Sequence, residues 1–179
     1  MSEIDHALLY ALRWEGGWSD DPDDPGGATN YGITLQRAKK HGISTKDALR
    51  DISAEKVREI YLKDYWCFGE VTSQSVASKV FSHCINMGDS PWIRNPAIKV
   101  LQLSLCDLGQ SIRVDGVFGR ATLAAVNLCD AEKLLERFAY RCALRYQQIA
   151  INNPKMQKFL HGWLRRANDF PEEARHEVV

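Results

Sequence analysis

Apolar residues recur three or four positions apart through most of this 179-residue chain, and this spacing constrains the fold more than any other feature. Such a stripe is typical of an amphipathic helix, whose apolar face packs against the rest of the protein. Alternating apolar and polar residues over the length of a strand are scarce. The sequence therefore predicts a mainly α fold, in which helices are separated by short turns.

Polar residues and prolines predict where several of these helices begin and end. Thr34 and Ser53 are suitable N-caps, one for a helix that ends before Gly42 and one for a helix over residues 54–66. A long helix in the second half ends at Pro154, because proline disrupts a helix interior. One further helix follows it.

The first predicted helix ends in a carboxyl group that lies between two indole rings. Glu15 comes three residues after Leu12 in the apolar stripe, with Trp14 and Trp18 on either side. Gly16-Gly17 should stop the helix just beyond it. We therefore expect the carboxyl to project inward from the last helical turn, where partial desolvation favours the protonated form.

A loop rich in Asp, Pro and Gly follows and should lie over the end of this helix. Asp24 comes nine positions after Glu15, and Thr29 comes fourteen positions after it. Hydrolysis of a glycosidic bond needs one protonated and one ionised carboxyl. We expect Glu15 to be the acid and Asp24, together with the Thr29 hydroxyl, to hold the attacking water.

Each of these residues also has a purely structural interpretation. Glu15 can form a salt bridge at a helix end, Asp24 can simply form a turn before Pro-Gly, and Thr29 can tie down the loop. An acidic loop can also bind calcium, but Gly32 stands where an EF-hand needs Glu, and we predict no metal site. Three neighbouring carboxylates compete for the role of Asp24: Asp20, Asp21 and Asp23.

The longer string that begins at Glu15 is more specific than this spacing. It contains Glu-Gly-Gly, then Asp-Pro and Asp-Pro-Gly-Gly-Ala-Thr-Asn-Tyr-Gly-Ile-Thr. The string resembles the signature of glycoside hydrolase family 108, the N-acetylmuramidases found as phage endolysins and as secretion-associated bacterial muramidases. The resemblance implies a lysozyme-like helical catalytic half, in which the Glu is the acid and the Asp and Thr position water below the sugar ring.

Further residues fit this resemblance as contacts to the glycan strand. The aromatic rings among them suit the C–H face of a sugar, although such rings also occur in cores. Asn86 can bind an acetamido group or cap a turn, and Ser82-His83-Cys84 before it replaces a more usual acidic segment. The expected substrate-binding residues are Trp18, Asn30, Tyr31, Tyr65, Trp66 and Asn86.

A second pattern lies downstream. Val100-Leu101-Gln102, followed by residues 114–123, resembles the Leu-Gln and Asp-Gly-x-x-Gly-x-x-Thr pattern of small helical peptidoglycan-binding modules. This pattern is less specific, because Asp-Gly followed by Gly also describes a tight turn that enters a helix. The resemblance implies that the module depends on Gln102, Asp115, Gly116, Phe118, Gly119 and Thr122.

The chain divides best in a proline-containing stretch over residues 90–96, which predicts a hydrolase domain, 1–90, packed against a peptidoglycan-binding domain, 91–179. The whole chain has a net charge of zero, but its halves differ. The first half carries 10 basic and 14 acidic residues, a net of −4, and the second carries 13 and 9, a net of +4. A basic second half suits binding to the cell wall.

The expected partners are the glycan strands and stem peptides of peptidoglycan, and we expect a monomer without a cofactor. No nucleic acid is expected, since the basic row Arg137, Arg141 and Arg145 has no nucleic-acid-binding motif around it. No apolar run approaches the roughly 18 residues of a membrane span. The acidic start of the chain is unlike a signal peptide, so we expect cytoplasmic synthesis and action in the periplasm, reached through a holin-like or other export partner.

These expectations describe an enzyme that cleaves the β-1,4 bond between N-acetylmuramic acid and N-acetylglucosamine, for lysis or for wall remodelling during secretion. The need for water between the carboxyls favours inversion and a carboxyl separation of roughly 6.5–9.5 Å. Two alternatives stay open. One is a non-catalytic peptidoglycan-binding secretion scaffold, and the other is a lytic transglycosylase, which forms an anhydro end without water.

Overall fold

The computed structural model describes residues 1–20, 27–88 and 94–172, and the regular structure there is almost entirely helical, as predicted. None of these helices combines the length and apolar character needed to cross a membrane. In chain order the elements are α1 (Ile4–Leu12), β1 (Thr29–Asn30), β2 (Ile33–Thr34), α2 (Leu35–Lys39), α3 (Lys46–Arg50), α4 (Ala54–Asp64), α5 (Gln74–Met87), α6 (Pro96–Asp107), α7 (Arg120–Leu128), α8 (Ala131–Asn152), a 3-10 turn (Pro154–Met156) and α9 (Gln157–Asn168).

Both predicted N-caps are confirmed. The side chains of Thr34 and Ser53 each accept a hydrogen bond, at 3.2 Å, from the backbone N–H three residues further on. The helix after Ser53 ends at Asp64 rather than at Trp66. It ends there because the backbone N–H of Trp66 turns back to the carbonyl of Tyr61 at 3.1 Å, which closes the last turn.

The first helix ends earlier than predicted. Helix α1 stops at Leu12, and the backbone N–H of Trp14 then bonds to the carbonyl of Ala11 at 3.0 Å. This tightened turn directs the chain out of the helix before the two glycines are reached. Glu15 therefore lies in the bend that follows α1, and the prediction that it sits on the last helical turn is wrong.

Helix α5 is central to the fold. Every residue from Ser75 to Cys84 is buried, since α5 packs against α1 on one side and against α6 and α8 on others. Val76 and Val80 are four residues apart and by themselves fit a single apolar stripe. The structure buries the polar residues Lys79 and His83 of α5 as well. The central helix therefore presents polar groups to the helices of the second half.

A small antiparallel hairpin, β1–β2, was not predicted. Its register pairs Thr29 with Thr34 and Asn30 with Ile33. The two residues at its tip, Tyr31 and Gly32, both have positive φ angles, of 50° and 74°. Two consecutive positive φ angles are the geometry of a tight two-residue hairpin turn. The tip projects toward the bend that carries Glu15, as the contacts below demonstrate.

Candidate active site

Glu15 is held by an arginine from the last helix. Its side chain is 16% exposed, and its Oε1 accepts a hydrogen bond from Nη2 of Arg166 at 2.8 Å. The same Nη2 also donates to the backbone carbonyl and the hydroxyl of Ser82, at 2.8 and 2.9 Å. Since the side chain of Arg166 is only 4% exposed, this is a sheltered, charge-assisted contact. It fixes the orientation of the Glu15 carboxyl.

The other oxygen of this carboxyl faces the hairpin tip. A Cβ atom on Gly32 would lie 2.8 Å from Oε2 of Glu15 and 3.0 Å from the hydroxyl of Tyr61. That hydroxyl, which comes from α4, donates to the backbone carbonyl of Tyr31 at 2.7 Å. No hydrogen bond from the described part of the chain reaches Oε2.

The phenol of Tyr61 is a fixed hydrogen-bond donor in this site. Burial, and after it the charge of Glu15, hold the pKa of Tyr61 well above its ordinary value. The proton therefore stays on the phenol, and the contact with the carbonyl of Tyr31 persists. Because Tyr31 carries a side chain at a positive φ, its backbone conformation is strained, and the contact with Tyr61 helps to maintain it.

The predicted aromatic contacts differ in exposure and in the groups that they pack against. Tyr31 is 41% exposed at the hairpin tip. Trp18 is half-buried, and the guanidinium of Arg50 lies 4.7 Å from the centre of its ring. Tyr65 is buried beneath Arg37, again at 4.7 Å. Trp66 is half-buried and packs edge to face against two phenylalanine rings.

The two predicted asparagines have different surroundings. The buried amide of Asn30 donates to the backbone carbonyls of Leu49 and Arg50 at 3.0 and 2.9 Å, which ties the hairpin to the end of α3. Asn86, at the end of α5, accepts a hydrogen bond from the hydroxyl of Tyr146 at 2.6 Å. Asn86 therefore faces the second half of the chain.

Of the two residues predicted to hold water, the structure describes Thr29 but not Asp24. Thr29 is half-buried on β1, and its backbone exchanges two hydrogen bonds with Ser19, at 2.8 and 2.9 Å. Asp24 lies outside the described residues, as do Asp21 and Asp23. Asp20, the remaining competitor for the same role, forms an ion pair with Lys46 at 2.8 Å.

The Asp-Gly motif of the second half forms a closed hydrogen-bond network. Gln102 is buried, and its Nε2 donates to Asp115 at 2.9 Å and to Thr122 at 3.1 Å. Its Oε1 accepts from the backbone N–H of Gly116 at 2.8 Å. Gly116 has a φ of 81°, and a Cβ there would lie 3.0 Å from the backbone of Arg94. These polar groups satisfy one another and stabilise the loop before α7.

The remaining two motif residues, Phe118 and Gly119, also have structural roles. Phe118 is buried, and its ring lies 4.8 Å from that of Phe68, centre to centre, which joins the two halves of the chain. Gly119 occupies the N-cap position of α7. The hydrogen bond from Gln102 lowers the pKa of Asp115 below its ordinary value, so this carboxylate remains ionised and keeps accepting.

Arg166 is the residue of the candidate site that the sequence did not predict. Trp163 and Ala167 are four residues apart and fit the apolar stripe of the last helix, and position 166 lies beside this stripe. A charged residue next to an apolar stripe is the one signal that the sequence offers for a buried partner. Nothing in it indicates that the partner is Glu15.

Both halves of the chain are similar to known protein families. Residues 8–88 match the family described as glycosyl hydrolase 108, and residues 96–168 match the one described as a predicted peptidoglycan domain. The solved structure of Brucella abortus SagA has a similar fold, with a TM-score of 0.64 and 25% identity over 93% of this chain and 96% of that one. A search of curated protein sequences finds no significant match.

The two domain matches define the class of protein as a peptidoglycan hydrolase, that is, a glycoside hydrolase whose substrate is the cell wall polymer. Within that class, residues 8–88 belong to the glycosyl hydrolase 108 family, and a peptidoglycan domain follows them over residues 96–168. The resemblance read from the sequence is thereby confirmed.

Proposed function

We propose that the protein is an N-acetylmuramidase, which hydrolyses the β-1,4 bond between N-acetylmuramic acid and N-acetylglucosamine. The observation that carries this proposal is the environment of Glu15. Its carboxyl is largely buried, with one oxygen held by Arg166 and the other directed at the hairpin tip. A single oriented carboxyl of this kind is the general acid that glycoside hydrolysis requires.

The contact with Arg166 distinguishes the two oxygens of the acid. In the neutral carboxyl, Oε1 can remain the acceptor of the Arg166 hydrogen bond while Oε2 carries the proton. That proton then lies beside Gly32, at the hairpin tip. Glu15 donates it to the glycosidic oxygen as the bond to the leaving sugar breaks, which typically accelerates such a step by about 10²- to 10⁴-fold.

Asp24 and Thr29 complete the mechanism. Asp24, as the ionised carboxyl, activates a water molecule on the opposite face of the sugar, and the Thr29 hydroxyl orients that water. This arrangement inverts the anomeric centre, with the carboxyls roughly 6.5–9.5 Å apart, whereas retention needs about 5–5.5 Å. Proton NMR of the first product formed distinguishes the routes, because inversion of a β bond releases the α anomer.

The remaining predicted residues bind the polymer. Trp18, Asn30, Tyr31, Tyr65, Trp66 and Asn86 form or support the glycan cleft, with Tyr31 as its exposed ring. Residues 91–179, with their net charge of +4, bind the cell wall. The enzyme acts on the wall in the periplasm, either for lysis or for wall remodelling during secretion. A cationic surface suits this target, since peptidoglycan carries carboxylates.

The test is digestion of purified peptidoglycan by the wild type, by Glu15→Gln and by Glu70→Gln, an exposed carboxyl that serves as the control. Mass spectrometry then identifies the new glycan ends. Reducing muramic ends from the wild type and from Glu70→Gln, with none from Glu15→Gln, are expected. Anhydro ends would make the protein a lytic transglycosylase, and absence of cleavage by the wild type would leave a wall-binding scaffold.

A further inference from the structure

A cavity of about 220 Å³ lies where the end of α5 meets α8 and α9. The sequence assigned a binding role to only one of its lining residues, Asn86. The wall combines cationic, amide, aromatic and aliphatic groups, and the lining residues are Asn86, Met87, Arg145, Tyr146, Ile149 and Trp163.

One wall of this cavity is a stack of aromatic rings. The rings of Tyr146 and Trp163 lie 5.3 Å apart at an angle of 22°, and Phe159 continues the stack at 5.7 Å from Trp163. Phe159 is 44% exposed, so the stack runs from the interior to the surface. A flat apolar surface of this kind suits the C–H face of a sugar ring or the aliphatic part of a peptide.

Arg145 supplies a positive charge that the described chain does not neutralise. Its Nε atom is buried without a hydrogen-bond partner, and it forms no ion pair within residues 1–20, 27–88 and 94–172. By contrast, Arg137 and Arg141 of the same row on α8 both face Asp107, at 4.0 and 2.5 Å. A guanidinium that lacks a carboxylate is a candidate binder for one, because its planar N–H groups match carboxylate geometry.

The amide of Asn86 adds donors of the same kind. Its Oδ1 accepts the hydrogen bond of the Tyr146 hydroxyl at 2.6 Å, which turns the acceptor end of the amide toward the protein. Among the described residues Nδ2 has no partner. The polar groups that remain for a ligand, on Arg145 and Asn86, are therefore donors. They select a ligand rich in acceptor oxygens.

The cavity begins close to the hydrolytic centre. On α5, Asn86 lies four residues after Ser82, the residue that binds Arg166, and four residues are one helical turn of about 6 Å. Arg166 binds both Ser82 and Glu15. The cavity therefore begins about one helical turn from the residue that shares this arginine with the candidate acid.

We propose that this cavity is a carboxylate-binding subsite for the acidic substituent of the glycan strand, with Arg145 and Asn86 as the ligands of the carboxylate. The inference rests on the proposed function, which identifies the strand as muramic acid and glucosamine residues. Two sources supply the same chemistry: the lactyl group of muramic acid, when it is free, and the peptide attached to it. The stacked rings of Tyr146 and Trp163 then pack against the apolar part of either one.

The test compares hydrolysis of four polymers by the wild type and by Arg145→Gln. Peptide-bearing strands offer peptide carboxylates, and strands stripped of peptide by an amidase offer lactyl carboxylates. Each polymer is also used after its carboxylates have been converted to amides. Arg165→Gln, an exposed arginine on α9, is the matched control. Initial rates of reducing-end release are measured below saturation, so that they report kcat/KM.

For the wild type and Arg165→Gln, amidation of one polymer should lower kcat/KM about tenfold, the effect of losing one charge-assisted hydrogen bond. For Arg145→Gln the same amidation should lower kcat/KM clearly less, because only the general attraction of the positively charged second half for carboxylates remains. An equal loss in Arg145→Gln and in the wild type would overturn the inference. The polymer that responds identifies the carboxylate. A wild type that cleaves each amidated polymer as fast as its parent would overturn the inference, even if Arg145→Gln does not fold. A wild type that cleaves neither parent polymer would instead overturn the proposed function.

Discussion

Arg166 and Glu15 are 151 residues apart in the sequence, yet Nη2 of the arginine lies 2.8 Å from Oε1 of the carboxyl. The bend after the first helix and the end of the last helix thus meet at one site. Arg166 belongs to the segment that matches the peptidoglycan domain, whereas Glu15 belongs to the hydrolase segment. The candidate site is therefore built by both segments, and the second is more than an attached wall anchor.

Replacement of Arg166 should impair catalysis more than stability. In Arg166→Lys the positive charge remains, but the planar guanidinium is lost. One nitrogen of that guanidinium contacts both Ser82 and Glu15. A misplaced acid can cost about 10²-fold in rate, so kcat should fall by about 10- to 100-fold. Peptidoglycan turnover, measured below the melting temperature of the variant, checks this. The same substitution at exposed Arg165 should leave kcat unchanged, and full activity of Arg166→Lys would contradict the role in positioning.

Gly32 should be intolerant of a side chain, because a Cβ there would lie 2.8 Å from Oε2 of Glu15. Gly32→Ala should displace the carboxyl and reduce the hydrolysis rate at least about tenfold. It should also cost about 1 kcal/mol of stability, since φ is +74°. Gly42→Ala is the matched control, with a φ of +85° and open space around its Cβ position. It should lose similar stability and keep its activity; equal activity losses in both variants would refute the steric argument.

The parts of the fold and of the candidate site that could be predicted from the sequence depend on residues that are close together in the chain. Thr34 and Ser53 cap helices through hydrogen bonds that span three residues, and the Glu15 string is contiguous. The pairing of Glu15 with Arg166 depends instead on how α5 and α9 pack, which no local pattern encodes. Periodicity also cannot reveal that α5 is covered on several sides, because its polar residue Lys79 is buried through contacts with a distant helix.

The first helix illustrates a different limit of periodicity. Glu15 fits the apolar stripe of α1, which predicted a helix up to Gly16, although the helix ends at Leu12. A tightened turn with hydrogen bonds between residues three apart follows, from Ala11 to Trp14. Residues in such a turn continue nearly the same angular spacing as a helix, so the sequence pattern does not distinguish the two.

The network around Gln102 should contribute strongly to stability. Gln102→Leu removes its hydrogen bonds to Asp115, Thr122 and the backbone of Gly116, and leaves their polar groups partly unsatisfied. The expected loss in the free energy of unfolding is about 3 kcal/mol. Urea denaturation measures it. Gln148→Leu on the exposed side of α8 should change stability by less than about 0.5 kcal/mol, and a similarly small change for Gln102→Leu would contradict the proposed importance of the network.

A buried lysine holds the helix that carries Arg166. Lys79 of α5 is fully buried, and its Nζ donates to the backbone carbonyls of Arg166 at 3.2 Å, of Ala167 at 2.7 Å, and of Asp169. These carbonyls lie at the C-terminal end of α9, where a helix leaves acceptors unpaired and favours a positive charge. Burial nevertheless disfavours the ammonium and lowers the pKa of Lys79 to about 8.

Stability should therefore rise with pH through the range in which Lys79 loses its proton. The pKa of Lys79 is about 8 in the folded protein and that of an unfolded lysine is about 10.4, so between these values the unfolded chain binds more protons. Relative to Lys79→Met, the wild type should gain about 2 kcal/mol in its free energy of unfolding between about pH 7.5 and about pH 10.

Urea denaturation of both proteins at each pH gives this difference. The subtraction cancels the contributions of the titrating tyrosines and cysteines that the two proteins share. The same comparison with Lys99→Met, at an exposed position of α6, should be flat. A flat or falling difference for Lys79 would show that its ammonium is stabilised by the end of α9 more than burial disfavours it.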